Sequence, residues 1–408
     1  MEKSISISSI LTSLICLFFL LFLPFRPIYF IVPAILFITA IYFSIKNYQY
    51  LSWQQVPKEN KYFIFTILFY IALFVISLIY HQGKLREIDS ISRILLILPL
   101  LFLTTQIPFK QKWIVISILS SGISVGCLAL IQTSLSDDLP FPNHMHIQAG
   151  GFTMSFALFC LAITCYAIYH HLGKWVVIGV IAILFALLAS FMTTSRGAWL
   201  GISVVPVILF YYRQILSKKL IIGLMAIAII SGILASDILV KRWQQAHDDI
   251  TQYAQKDNGS TSVGARFDMW KSALLGIQEK PILGWGKEGV LEMRKKHYEQ
   301  GLISEFASQF GHAHNQYLHD ASTRGIIGLT ALLGIFLVPL GIFIRGIKQS
   351  VVGSFAHLWS VMGVSHILAV MIYCLPQSFF NHNSGLNFYF FITVLFMGLY
   401  QAAKKQKM

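Results

Sequence analysis

The chain is poor in charge and poorest in acid. Its four charged residue types make up 12% of 408 residues, with 17 Asp plus Glu against 31 Lys plus Arg. Soluble domains carry about a quarter charged residues, so a soluble globular protein is excluded. The five cysteines (Cys16, Cys127, Cys160, Cys165, Cys374) all fall in apolar runs. That leaves no disulfide framework and no thiolate metal site. The sequence has no Rossmann fingerprint, no phosphate-binding glycine loop and no internal repeat. It also lacks an Asp-x-Asp pair of the kind that holds a divalent ion on a sugar nucleotide. No Asp or Glu lies in the middle of an apolar run, which weighs against proton-coupled transporters and pumps, because their relays need buried carboxylates.

Apolar sequence is what the chain has in abundance, at 56% hydrophobic residues and a mean hydropathy of +0.68. Twelve apolar runs are each long enough to cross about 30 Å of hydrocarbon. They lie near 8 to 25, 27 to 45, 61 to 80, 90 to 106, 111 to 133, 149 to 170, 174 to 193, 197 to 213, 219 to 240, 319 to 344, 356 to 376 and 385 to 402. The first reads as a retained span, since Glu2 sits beside Lys3 and no small-residue cleavage pattern follows. Lys46, Lys58, Lys61, Lys110, Lys112, Lys174, Arg213, Lys218, Lys219, Arg345 and Lys348 fall on alternate connections, together with both termini. The positive-inside rule makes those connections cytoplasmic. The net charge of +14 is then an orientation signal rather than a sign of nucleic-acid binding.

This pattern predicts an all-α, polytopic integral membrane protein of about twelve spans. Residues 1–240 would carry nine of them, 241–318 a large polar loop, and 319–408 the last three. Span parity places that loop on the non-cytoplasmic side, and a loop of this length is usually functional. Within it, the start of the segment extends span nine as a helix to about Lys256, and Asp257 to Gly264 reads as a linker. Phe267, Trp270, Ala273, Leu274 and Ile277 recur at spacings of three and four, predicting an amphipathic helix over 265–278. Pro281, Gly284, Gly286 and Gly289 make a turn, and a second short helix runs to about Gln300.

Three groups stand at the predicted outer face. Arg196 lies in Thr194-Ser195-Arg196-Gly197-Ala198-Trp199, the tight turn between spans seven and eight, where a snorkelling interfacial arginine beside a belt tryptophan is the plain alternative. Arg266 opens the amphipathic helix and reads equally as a solvated surface charge. His314 leads into span ten. On a continuous helix His314, Ala321, Gly325 and Gly328 would share one face, a histidine above a strip of small residues. His312 beside His314, and His144 beside His146, lack a third ligand, so no zinc site is expected.

Together these segments resemble the O-antigen ligase and O-antigen polymerase superfamily of bacterial envelope membrane proteins. The most specific motif is His-Asn, nine residues, Gly, two residues, Gly, here His314-Asn315, Gly325 and Gly328. The Arg196-Gly197-Ala198-Trp199 turn resembles the family's membrane-edge arginine motif. Arg266 with Trp270 and Ala273, followed by Pro281-Ile282-Leu283-Gly284-Trp285-Gly286, resembles the arginine segment of its large periplasmic loop. The motifs cover roughly 190–330; spans one to six match as architecture alone.

The resemblance implies a GT-C-like glycosyltransferase of the bacterial inner membrane that needs no metal or other cofactor. Its donor would be a glycan on undecaprenyl diphosphate and its acceptor, for a ligase, the lipid A core oligosaccharide. Arg196 and Arg266 would bind the diphosphate through paired hydrogen bonds, and His314 would be the base. Secondary candidates are Asn315, Tyr317, Trp285, Arg324 and Arg93. The one large late loop favours the ligase over the polymerase. A protein-glycosylating transferase of the superfamily and a non-catalytic polysaccharide exporter or flippase remain the other classes.

Overall fold

Lipid offers no hydrogen bonds, so a backbone inside it must satisfy its own, and a helix does this without neighbours. The computed structural model describes residues 7–46, 56–106, 109–136, 138–215, 217, 221–223, 226, 229–230, 232–233, 236–256 and 259–405, and among them it is all-helical, with no strand.

In chain order the helices are α1 (Ile7–Leu21), α2 (Ile28–Lys46), α3 (Lys58–Tyr80), α4 (Ile88–Leu95), α5 (Pro99–Gln106), α6 (Gln111–Leu135), α7 (His146–Tyr169), α8 (Gly173–Met192), α9 (Arg196–Trp199) and α10 (Val205–Tyr211). The polar segment supplies α11 (Ser236–Lys256), α12 (Ser262–Glu279), α13 (Gly286–Glu299) and α14 (Glu305–Ser308), and the chain ends with α15 (Gln316–Gln349), α16 (Phe355–Tyr373) and α17 (Asn383–Lys405).

Eight of these, α2, α3, α6, α7, α8, α15, α16 and α17, are long and apolar enough to cross a membrane, and the chain is a multi-pass membrane protein. Two of the twelve expected runs are broken. The fourth forms α4 and α5, split just before Pro99, which lacks the N–H a continuing helix needs. The eighth forms α9, a 3-10 turn and α10, with Pro206 in the first turn of α10. The first run forms α1, of 15 residues. The ninth, 219–240, lies largely outside the described residues. In the loop, the amphipathic helix and the second short helix form, the former starting at Ser262 inside the expected linker, whose residues 257–258 lie outside the described residues, and α15 begins at Gln316.

Helix α17 is the axis of the bundle, with its apolar window 100% buried, whereas those of α2 and α3 are 28% and 33% buried and leave most of their surface for lipid. Several polar side chains inside the bundle are paired. Asn60 and Gln401 exchange amide hydrogen bonds, the Trp359 indole donates to Gln111 Oε1 at 2.9 Å, and the Tyr389 hydroxyl donates to the Ile335 carbonyl at 2.6 Å.

The contact that fixes the loop on the bundle is backbone against backbone. Gly325, inside α15, has φ +68° and kinks the helix. The turn Pro281–Gly284 lies in that kink, with Trp285 N donating to the Ser322 carbonyl at 2.9 Å and Ile326 N to the Pro281 carbonyl at 2.8 Å. A Cβ at Gly325 would stand 2.0 Å from the Ile282 oxygen, and one at Gly284 would stand 2.5 Å from the Thr323 carbonyl carbon. The kink also folds the Arg324 Cβ to 2.3 Å from a Cβ at Gly328. The two motif glycines therefore serve this junction. The expected face shared by His314, Ala321, Gly325 and Gly328 does not exist, because His314 precedes the helix and Gly325 interrupts it.

Gly325→Ala combines a left-handed alanine with a backbone clash, and should cost about 2 kcal/mol or more. Gly341, with nothing within 4 Å of a Cβ, is the control. Thermal unfolding in detergent should show G325A melting several degrees below G341A; equal midpoints would contradict this reading of the kink.

Candidate active site

Two positive-φ residues set up the site. Helix α8 ends at Met192, and Thr194 (φ +57°) turns the chain so that Arg196 opens α9. Gly197 is required there, since a Cβ would meet Pro376 Cγ at 2.6 Å. Arg196 Nη1 donates to the Arg242 carbonyl at 3.1 Å, and Arg242 Nη2 donates to Thr194 Oγ1 at 2.6 Å, which docks α11 on this turn.

Arg266 comes from α12, whose first turn is capped by Thr261 Oγ1 accepting from Gly264 N at 3.0 Å. Among the described residues no ion pair reaches Arg196, Arg242 or Arg266. Burial lowers the pKa of Arg196, and the Arg242 charge adds to it; burial lowers that of Arg266, followed by the Arg196 charge. Asp249 on α11 acts on both in the opposite sense. Arg196 and Arg266 thus share one acidic neighbour, with the Arg242 charge acting on Arg196. The result is a local excess of positive charge.

His314 is held in a left-handed conformation (φ +47°) immediately before α15. Asn315 is the N-cap, its Oδ1 accepting from Leu318 N at 3.0 Å. The His312 ring lies 4.2 Å from that of His314, nearly perpendicular. Arg294, fully buried on α13, donates to the carbonyls of Phe310 and, at 3.0 Å, of His312, so it pins the segment that presents both histidines. Among the described residues His314 Nδ1 has no hydrogen-bond partner.

Burial pulls the His314 pKa down to about 3, with smaller contributions from His312, Arg266, Arg294 and His382. Desolvation is the larger cause, and Arg196 is not among the contributors.

Arg196, Arg266 and His314 are therefore brought together, Arg196 acting on Arg266 and Arg266 on His314. The secondary candidates are spent on internal contacts. Asn315 caps its helix, the Tyr317 hydroxyl donates to the Met371 carbonyl at 2.8 Å, and the Trp285 indole donates to the Gly276 carbonyl at 3.0 Å under Lys280 Nζ. Arg93 pairs with Asp89 at 2.9 Å, and Arg324 pairs with the buried Asp320 while its guanidinium lies 4.3 Å above the Phe74 ring.

The family model for O-antigen ligase matches residues 181–333 of this chain. That interval contains Arg196, Arg242, Arg266, Arg294, His312 and His314. A protein of Haemophilus influenzae strain Rd, named only as uncharacterized, is 38% identical over 390 residues, which is 94% of this chain and 96% of its own. The chain belongs to the O-antigen ligase/polymerase superfamily. Members are glycan ligases and polymerases, so the chain is a membrane enzyme acting on lipid-linked glycans.

Several residues of this superfamily member's site escaped the sequence argument. Arg242 and Asp249 are seven apart, which puts them on one face of α11, a signal available in the sequence. Arg294 sits in the run Arg294-Lys295-Lys296, which reads as a solvated face, and nothing marks it as buried. His146 was weighed only as a zinc ligand beside His144, yet it stands within the fields of Arg242 and Arg266. His382, from the segment after α16, acts on both His312 and His314.

The depressed histidine pKa has a sign for stability. A folded imidazole at about 3 binds fewer protons than an unfolded one near 6.5. Its contribution to stability is therefore present above pH 6.5 and is lost as the pH falls toward 3. The melting temperature should drop less steeply between pH 6.5 and 5 in His314→Gln than in the wild type. Parallel slopes would show that His314 titrates normally.

Proposed function

We propose that this enzyme is an O-antigen ligase. It would transfer a glycan from undecaprenyl diphosphate to the lipid A core oligosaccharide at the periplasmic face of the bacterial inner membrane, with both termini cytoplasmic. The observation that carries the reading is the unpaired arginine cluster Arg196, Arg242 and Arg266 beside a neutral, partly unsatisfied His314.

Arg196 and Arg266, with Arg242 behind them, bind the donor diphosphate and stabilise the charge that grows on it as the glycosidic C–O bond breaks. The acceptor hydroxyl attacks the anomeric carbon, its proton passes to His314, and the bonding electron pair leaves with undecaprenyl diphosphate. A single displacement of this kind inverts the anomeric centre. An imidazole of pKa about 3 is a weak base, chiefly because it is buried. The diphosphate, by neutralising Arg266, removes one of the smaller contributions, so the histidine becomes more basic once the substrate that needs it is bound.

Two outcomes follow in a purified system with defined lipid-linked donor and acceptor. His314→Ala should lower transfer by about 10²–10⁴-fold at normal membrane levels, and full activity would remove His314 from the mechanism. The acid limb of kcat/KM, which reports the free enzyme, should lie well below the ordinary histidine range, while that of kcat should move to higher pH. Coincident limbs would contradict the coupling of donor charge to base strength.

A further inference from the structure

A polar cleft of about 470 Å³ opens beside the site and is not explained by the donor. Its walls come from three connections, those between α1 and α2, between α6 and α7, and between α16 and α17, and from the first turns of the helices that follow them. They carry Arg26, Tyr29, Asn143, Gln148, Asn381 and His382. Gln148 is committed to structure, donating to the Phe379 carbonyl at 3.0 Å and accepting from Ser384. It holds the α16–α17 connection against α7. Among the described residues the side chains of Arg26, Asn143, Asn381 and His382 have no hydrogen-bond partner, and Asn143 and Asn381 are exposed.

The composition of these walls selects a ligand class. Side-chain amides offer a donor and an acceptor from one group, which matches vicinal hydroxyls. Tyr29 adds an aromatic ring, and Arg26 adds one cation for an anionic substituent. An apolar ligand would leave these groups unpaired, at a cost. The cleft also has a defined relation to the reaction centre. His382 lines it and acts on His312 and His314, whereas none of Arg196, Arg242 and Arg266 lines it. The reactant that carries the diphosphate belongs among the arginines, so the neutral amides await the other reactant.

We propose that this cleft is the binding site for the acceptor glycan, a hydroxyl-rich saccharide bearing an anionic group, and that Asn143 and Asn381 contact its sugar hydroxyls. The proposal rests on the transferase reading, and its test is chosen so that the two can fail separately. Binding of a soluble probe, the deacylated core oligosaccharide, is measured by calorimetry on the purified full-length protein, alongside acceptor and donor KM in the transfer assay.

The combined variant Asn143→Ala with Asn381→Ala removes two exposed amides that support no internal contact. It should weaken oligosaccharide binding and raise acceptor KM at least tenfold, with donor KM within twofold of wild type. His314→Ala should bind the oligosaccharide as the wild type does. Unchanged binding in the double variant would overturn the cleft assignment whatever the transfer assay gives. A change confined to donor KM would overturn it in favour of the donor glycan. Wild-type binding that the double variant loses, with no transfer by any form, would keep the cleft and retire the transferase reading.

Discussion

Two stretches of backbone meet at Gly284 and Gly325 with no side chain between them, and the geometry of the site follows from that meeting. One stretch joins α12 to α13, the helices that carry Arg266 and Arg294. The other is the kink in α15, eleven residues after His314. Hydrogen bonds from Trp285 N and Ile326 N close the junction, and a Cβ on either glycine would open it. Because each hydrogen bond joins main chain to main chain, the loop helices have a fixed position relative to the membrane bundle. The field of Arg266 can then act on His314. Arg294 completes the arrangement by holding the Phe310 and His312 carbonyls.

The site is assembled with its charge unbalanced. Arg196 and Arg266 share the acidic neighbour Asp249, and partial burial, followed by the charges of Arg242 on the first and Arg196 on the second, lowers their pKa values. In the proposed reaction the donor diphosphate would offset this cost, since its charge would balance the arginines. Burial, with a smaller part from Arg266, keeps His314 neutral. Left-handed residues Thr194 and His314 mark both halves of the site, consistent with local strain held in place by the surrounding packing.

Much of this was legible in the sequence, and the misses have physical causes. Composition and apolar runs gave the all-helical membrane class, and the breaks in runs four and eight lie at Pro99 and Pro206, both visible as residues that end a helix. Arg196 and Arg266 stood out because the positive-inside rule does not ask for cations on their side. The histidine motif was found but its geometry was misread. A wheel assumes a continuous helix, and sequence alone does not tell a glycine kept for positive φ from one kept for close helix packing. Arg294 was hidden because a basic run reads as surface. The cleft was hidden because Arg26, Asn143 and Asn381 come from three connections with no common spacing.

The claim on which the account turns is that the arginines hold the donor and the histidine does chemistry. Equilibrium affinity for the undecaprenyl-diphosphate-linked glycan, measured without acceptor, separates the two. The account predicts that His314→Ala binds this donor within a few-fold of the wild type, whereas Arg266→Ala binds it at least about tenfold more weakly, the loss of a charge-assisted contact. Donor affinity lost in His314→Ala and retained in Arg266→Ala would contradict it.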